Sequence, residues 1–145
     1  MPDVLMFLGS GFEDLEAVTE SENRRLIHTA HASIYHWLIA GTAVHEQRGE
    51  WLIPHVYSAL VLGEPALRHG WYCENLTDEH SDTMEDFDCA YACEGLARAS
   101  AVLGETKVAK QHKAEARKLG DLIRDSESRK IFDGGFYGGD WHGVP

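Results

Sequence analysis

Residues 82–123 constrain the fold of this chain more than any other stretch of its sequence. Apolar residues and alanines recur there at helical spacing on both sides of Gly104. Because glycine adopts the positive φ with which helices commonly end, Gly104 is expected to separate two helices. Small side chains let two backbones approach closely, so Ala97, Ala109 and Ala116 predict where the helices cross. The stretch therefore predicts a helical hairpin.

Helical periodicity also covers the chain before this hairpin. One helix is predicted to end at Gly41, and another is predicted over residues 43–62. Pro54 lies inside the second one, where it favours a kink or a restart because proline lacks a backbone donor. Pro65 suits the first turn of a third helix. We therefore predict an all-α protein of five to six antiparallel helices, with residues 1–131 as a single domain.

Capping patterns predict where several of these helices begin. Residues 4–19 also resemble the opening strand and helix of DJ-1/PfpI-type proteins. Such proteins need further βαβ units, and no later stretch of the chain reads as a parallel strand, so we treat this likeness as coincidental. The capping pairs are Ser10 with Glu13, Thr19 with Glu22, and Asp82 with Glu85.

An internal repeat is indicated by the tripeptide Leu-Gly-Glu, which occurs at residues 62–64 and 103–105. Each copy lies between two predicted helices. The second copy belongs to the hairpin, whose small residues follow the tetratricopeptide (TPR) pattern of about 34 residues. The usual Trp, Tyr and Pro positions of that pattern are not filled, so a generic helical hairpin is the alternative. We predict that the helices stack as TPR-like hairpins in a short solenoid.

Residues 132–145 form a C-terminal arm of different character. Glycine is frequent there, which argues against a stable helix. One interpretation is a flexible tail. The other is an arm whose aromatic side chains pack onto the helices or onto a second copy of the chain, which would give a homo-oligomer. The aromatic residues are Phe132, Phe136, Tyr137 and Trp141.

Charge and cysteine content limit the partners and the cellular compartment that the sequence predicts. There are 13 Lys and Arg against 24 Asp and Glu, a net charge of −11, which argues against nucleic acid and favours a basic partner. Three cysteines give no disulfide framework, which indicates a reducing, cytoplasmic setting. The apolar run at residues 4–8 is far too short to span a membrane. One basic stripe is interpreted as a solvated helix face, and it consists of Lys107, Lys110, Lys113 and Arg117.

A metal site is conceivable from two pairs of residues with i,i+4 spacing. His69 pairs with Cys73, and Cys89 pairs with Cys93, on helices that are neighbours in the chain. Facing each other, these pairs would supply three thiolates and one imidazole to zinc. The spacing is unusual for structural zinc and cysteine is a common buried residue, so we favour core packing and expect no cofactor.

A set of polar and aromatic residues has the best claim to a binding site. Glu94 lies on a helix that otherwise reads as buried, so its charge requires a partner. Arg48 is the expected partner, because a guanidinium can meet a carboxylate with two parallel hydrogen bonds. The set forms either a structural ion-pair network, which we favour, or a ligand site. Its members are His31, Tyr35, His36, Arg48, Trp51, His69, Asp86, Asp88 and Glu94.

Several short runs within residues 25–131 carry a resemblance to a known family. The runs are His31-Ala-Ser-Ile-Tyr-His-Trp37, Gly41-Thr42, Arg48-Gly-Glu-Trp51, Val56-Tyr57, Glu64-Pro-Ala-Leu67, His69 and Asp86-Phe-Asp88, followed by Ala90-Tyr-Ala92, Glu94 and Leu96-Ala-Arg-Ala99. They resemble a family of small bacterial all-helical, TPR-like proteins of unassigned function. The resemblance implies the fold and no particular reaction.

Function follows from the architecture more than from any motif. The sequence shows no Ser-His-Asp order, no phosphate-binding glycine loop and no HExxH glutamate. Stacked helical hairpins create concave surfaces, so the leading hypothesis is a non-enzymatic module that binds a protein or peptide. The alternative is a small-molecule- or metal-binding protein, with enzymatic activity left open, that uses His31, His36, Arg48 and Glu94.

Overall fold

A computed structural model describes residues 19–145, and these form six α-helices and no strand. The all-α prediction is therefore confirmed for this part of the chain. The predicted helix start at Ser10 and the DJ-1-like opening lie outside it. The helices are α1 (Glu20–Ala40), α2 (Ala43–Ala59), α3 (Gly63–Glu79), α4 (Asp86–Val102), α5 (Thr106–Gly120) and α6 (Ser126–Tyr137).

The helix starts agree only partly with the capping predictions. Thr19 caps α1 in a capping box with Glu22, as predicted. The predicted cap at Asp82 is wrong, because residues 81–83 form a short 3-10 turn and α4 begins later. Glu85 is the N-cap instead, and its backbone N–H donates to the Asp88 carboxylate at 3.0 Å.

The helices follow a regular period along the chain. Corresponding helices begin 43 residues apart each time: α1, α3 and α5 at Glu20, Gly63 and Thr106, and α2 and α4 at Ala43 and Asp86. This period supports an internal repeat. It is longer than the roughly 34 residues of TPR proteins and lies in the range of about 40–47 typical of HEAT and armadillo repeats. TPR-like stacking stays a prediction.

The turn between α2 and α3 has the same conformation as the turn between α4 and α5. Val61 and Gly104 occupy corresponding positions, with φ of 60° and 77°. The two Leu-Gly-Glu tripeptides are thus two residues out of register, because Gly63 is the first residue of α3 whereas Gly104 lies in the turn. The matching hydrogen bonds run from Leu62 N to Tyr57 O at 2.8 Å and from Glu105 N to Ser100 O at 2.9 Å.

The core lies around α2 and α4. Each packs on the helices before and after it in the chain, α2 and α4 pack on each other, and α4 also packs on α6. Ala97, Ala109 and Ala116 are fully buried, which confirms them as sites of close helix contact. The predicted restart at Pro54 is wrong, since α2 continues through it. The buried proline ring faces Gly95 of α4, where a Cβ would lie only 3.4 Å from it.

The C-terminal arm is more ordered than its glycines predict. α6 continues to Tyr137, so residues 132–137 are helical and the prediction of an irregular segment from residue 132 is wrong. Phe132 and Phe136, one turn apart, are buried and hold this helix on the core. Gly120 makes room for the contact, because a Cβ there would collide with the Phe132 ring.

Residues 138–145 are irregular, as predicted, and they pack on the chain's own helices. Val144 is buried against Ala101 and Ala109 of α4 and α5. The arm also covers half of the basic stripe: the Lys113 ammonium lies 4.2 Å from the Trp141 ring centre, and the Arg117 guanidinium packs on α6 aromatics. The interpretation of that stripe as a solvated face is therefore wrong for these two residues.

Candidate functional site

Arg48 forms the bidentate pair that the sequence predicts, but with a different carboxylate. Its guanidinium donates to both carboxylate oxygens of Asp88, at 2.9 and 3.2 Å. Asp88 is fully buried and also accepts the Glu85 N–H, so the pair fastens α2 to the first turn of α4. Arg48, Asp88 and Glu85 therefore fix the register of α2 against α4. This is the structural role that the ion-pair interpretation assigns to Arg48 and Asp88.

Glu94 has other partners, so the predicted Arg48–Glu94 pair is wrong. Its carboxylate, 1% exposed, accepts from His55 at 3.1 Å and from Arg98 at 3.2 and 3.3 Å. Burial raises the pKa of Glu94, but hydrogen bonds and charge from His55 and Arg98 outweigh it and hold the pKa below its usual value.

His55 links α2 to α4. Its second ring nitrogen faces the carbonyl oxygen of Trp51, which can only accept a hydrogen bond. The Glu94 carboxylate lies 3.1 Å from the other ring nitrogen. His55, Glu94 and Arg98 thus form a buried polar chain across α2 and α4.

The predicted metal residues are not brought together. The His69 ring bonds to Glu50 at 2.7 Å, while the Cys73 thiol lies 3.6 Å from the Gln47 carbonyl oxygen. Within residues 19–145, no group of three or more His, Cys, Asp or Glu side chains is placed to hold a metal ion. Burial raises the pKa of Cys73 and raises that of Cys93 to about 12, as core packing predicts.

Four polar side chains meet where α1, α2 and α3 adjoin. A ring nitrogen of His31 and the Tyr57 hydroxyl are 2.9 Å apart, and the His31 and His69 rings lie edge to face at 5.3 Å. The carboxylate of Glu50 lies within hydrogen-bond distance of His69 Nδ1, at 2.7 Å. Burial, with the nearby His69 next, lowers the pKa of His31, so this imidazole is neutral at pH 7. We call these four residues the histidine cluster.

A line of aromatic rings extends from this cluster across α3 to α5. Tyr72 meets His69 at 5.6 Å, and its neighbour Trp71 meets His112 of α5 at 6.1 Å. Trp71 and Tyr72 are 46% and 51% exposed, and Tyr35, one turn beyond His31 on α1, is 67% exposed. We call this surface the aromatic strip, and it comprises Tyr35, His31, His69, Tyr72, Trp71 and His112.

Acidic side chains border the aromatic strip on α3. Glu64, Asp78 and Glu79 lie seven or eight residues from Trp71 and therefore share its helix face, together with the single cation Arg68. Burial lowers the pKa of His112, as it does that of His31, so neither histidine adds positive charge at neutral pH. The strip is thus an aromatic surface within a net acidic border.

The remaining predicted residues lie elsewhere. His36 is exposed and contacts only the ring of Trp37 among the ring contacts of residues 19–145. Trp51 is a core residue, stacked on Tyr91 at 4.4 Å. Asp86 is an exposed residue in the first turn of α4. The predicted site residues therefore divide between the aromatic strip, the Arg48 group, the Glu94 group and the core, with His36 and Asp86 exposed outside them.

Sequence reasoning missed the exposed pair Trp71 and Tyr72. Adjacent residues of a helix point about 100° apart, so two large aromatic neighbours on a helix with one buried face predict exposure of at least one ring, which is a signal that the sequence does contain. Tyr57 and Glu50 carry no comparable local signal, because their roles depend on His31 and His69 of other helices.

In comparisons with protein families, curated proteins and solved structures, nothing matches the chain. No helix within residues 19–145 is both long enough and apolar enough to cross a membrane. The three cysteines are free thiols.

Proposed function

We propose that this protein is a non-enzymatic helical-repeat module that binds a lysine- or arginine-containing segment of a partner protein on the aromatic strip. The observation that carries the proposal is the exposure of Trp71 and Tyr72 in the middle of a ring surface shared by three helices. Aromatic side chains with exposed faces are enriched at binding surfaces and bind cations through their rings.

The chemistry of the border selects the partner. Glu64, Asp78 and Glu79 place three carboxylates against one cation on the exposed face of α3. The chain as a whole carries a net charge of −11. Such a surface attracts a basic segment and repels an acidic one, and the attraction weakens as salt screens it. The free thiols are consistent with a cytoplasmic setting, which is part of the proposal.

Selection of peptides from a random library displayed on phage tests this function. Wild-type protein serves as bait, and a Trp71→Ala/Tyr72→Ala variant serves for counter-selection. We expect enrichment of peptides with lysine or arginine, whose affinity drops at least about tenfold in the double variant, equivalent to about 1.4 kcal/mol. Tyr137→Ala is the matched control, because Tyr137 is also an exposed aromatic residue but lies on α6.

Three results would contradict the proposal. The library yields no specific peptide, the selected peptides are acidic, or they bind the Trp71→Ala/Tyr72→Ala variant as tightly as wild type. Both variants must first show the helical circular dichroism and the cooperative unfolding of wild type, which the exposure of these side chains leads us to expect.

The small-molecule alternative retains one supporting observation. A carboxylate bonded to an imidazole, as in Glu50 and His69, is an arrangement that also serves proton transfer, and the Tyr57–His31 pair lies beside it. A ligand that co-purifies with wild type and is lost in Glu50→Gln, detected by native mass spectrometry, would favour this alternative over peptide binding.

A further inference from the structure

A second surface, on another side of α5, holds the last residues of the chain. It is formed by Arg98 and Ala101 of α4 with Ala109 and Lys113 of α5. We call it the tail groove, and its occupant is the tail, residues 138–145. Of this occupant, Trp141 packs on the two cations and Val144 on the two alanines.

Arg98 donates to backbone carbonyls at the end of α6 and in the tail, besides packing on the Trp141 ring. One guanidinium nitrogen donates to the carbonyl oxygens of Gly135, Phe136 and Gly138, at 2.7, 3.4 and 3.0 Å. The other terminal nitrogen donates to the Asp140 carbonyl at 3.4 Å. Carbonyls at the end of a helix lack intrahelical partners, and a cation there also complements the helix dipole.

Two side chains give the contact its sequence preference. The Trp141 ring lies between the Arg98 guanidinium at 4.0 Å and the Lys113 ammonium at 4.2 Å. Val144 fills the site between Ala101 and Ala109, and its own N–H donates to the Trp141 carbonyl at 3.0 Å. The groove thus accepts a tryptophan followed, three residues later, by a small apolar residue in a tight turn.

The groove is built without help from the tail. The Glu94 carboxylate accepts two hydrogen bonds from Arg98 and so positions its guanidinium. Glu94 is positioned in turn by its hydrogen bond with His55. Ala101 and Ala109 belong to helices that pack on each other along their length. Removal of the tail therefore leaves a cationic, preformed site in an acidic protein.

The tail is attached in a way that permits release. No backbone hydrogen bond joins it to α4 or α5 among those of residues 19–145; its own are from Gly138 to Gly134 and from Val144 to Trp141. Gly139, with φ of 71°, lies at the point where the tail leaves α6. The tail is therefore held by groove side chains and by the Trp141 indole N–H, which donates to the Phe136 carbonyl of α6 at 2.9 Å, and not by a continuous helix or sheet.

We propose that the tail groove is a binding site for a partner segment of the type Asp-Trp-x-x-Val, and that residues 138–145 are its tethered occupant. The groove presents the cations Arg98 and Lys113, so an acidic segment is the complementary ligand. In the tail itself the Asp140 carbonyl accepts from Arg98, while the Asp140 carboxylate accepts from the His142 N–H at 2.7 Å. A tethered ligand acts at an effective concentration on the order of millimolar, so a partner must bind better than the tail to displace it.

Fluorescence anisotropy with a labelled peptide, Gly-Gly-Asp-Trp-His-Gly-Val-Pro, tests this site in the full-length protein. In a Trp141→Ala/Val144→Ala variant the tail has lost both anchors while α6 keeps its own. We expect saturable binding of the peptide to this variant and at least tenfold weaker apparent binding to wild type. A peptide in which alanine replaces its tryptophan should bind the variant at least tenfold more weakly.

Further substitutions in that variant place the peptide. Lys113→Ala should weaken binding several-fold, whereas Lys110→Ala, an exposed lysine of the same helix, should leave it unchanged. The proposal is overturned if the folded variant does not bind the peptide, if wild type binds it equally, or if Lys113→Ala has no effect. If the double variant does not fold, Trp141→Ala alone takes its place with the same criteria.

Light scattering of wild type separates this site from tail exchange between copies. We expect a monomer. A dimer that the anchor substitutions dissociate would mean that a second copy supplies the occupant, which overturns the partner proposal. These experiments leave Trp71 and Tyr72 untouched, so failure here and failure of the aromatic strip are distinguishable.

Discussion

Replacing Glu94 with glutamine tests whether one buried carboxylate joins the core to the tail groove. Glu94 accepts one hydrogen bond from His55 and two from Arg98, at 3.1 to 3.3 Å, and is 1% exposed. Glutamine has nearly the same shape but no charge. The side-chain NH₂ group of glutamine can only donate a hydrogen bond. It would face an N–H of His55 or Arg98, which is also a donor, so no hydrogen bond could form there.

The expected loss is large because the Arg98 guanidinium remains without its buried carboxylate. Removing one partner of a buried ion pair costs about 3–5 kcal/mol, since the other charge stays buried without compensation. A domain of this kind is stable by about 5–15 kcal/mol, so the loss is a substantial fraction of the total. We therefore expect Glu94→Gln to lower the free energy of unfolding by about 3–5 kcal/mol at pH 7.

Urea unfolding followed by circular dichroism from pH 7 to pH 3 measures this difference and its pH dependence. The folded-state pKa of Glu94 lies below its ordinary value of 4.5, so the unfolded chain takes up the proton first as pH falls. The carboxylate's contribution is thus present above pH 4.5 and is lost as pH falls through the folded-state pKa. The difference in the free energy of unfolding between wild type and Glu94→Gln should therefore become smaller as pH falls over that range.

The same substitution at an exposed site is the control. Glu115 pairs with Lys118 at 3.5 Å on the surface, and Glu115→Gln should cost less than about 0.5 kcal/mol. A loss below about 1 kcal/mol for Glu94→Gln at pH 7, or a gap that does not change with pH, would refute the charged network as described.

Three further predictions concern packing, thiol chemistry and pH. Gly120→Ala should cost about 1–3 kcal/mol in urea unfolding, because its Cβ would collide with the buried Phe132 ring, whereas Gly134→Ala, with open space around it, should not destabilise. Cys93, whose pKa is raised to about 12, should resist iodoacetamide at pH 8 in the native state and react rapidly in urea; fast native labelling would contradict its burial. Acidification below pH 6.5 should lower the melting temperature, because the lowered pKa of His31 makes the unfolded chain bind the proton first, and His31→Gln should reduce that dependence.

Local signals in the sequence were sufficient for the helices and their contacts, but not for their register. Alanine spacing predicts the crossing at Ala97 and Ala109 because a small residue has the same consequence in any helix pair. The Leu-Gly-Glu tripeptide misleads because its two glycines serve different needs. Gly104 supplies a positive φ, whereas Gly63 gives Leu103 room, since a Cβ on Gly63 would lie 2.7 Å from that side chain.

The wrong predictions share a dependence on tertiary contacts. Helix propensity argues against a helix through Gly134 and Gly135, but burial of Phe132 and Phe136 on one face outweighs that preference. The partner of Glu94 could not be read from the sequence for a similar reason. His55 lies 39 residues away, and its contact depends on how α2 crosses α4.

The two proposed surfaces follow from an uneven distribution of charge. Arg98 and Lys113 lie under the tail, and the Arg117 guanidinium pairs with Asp133 at 2.9 Å, so three of the chain's cations are already engaged around its C-terminal arm. On α3, the helix face of Trp71 keeps its carboxylates against a single arginine. A tail that covers the cationic groove therefore leaves this acidic face of α3 available to a basic partner. Displacing the tail would expose a site of opposite preference without altering the strip.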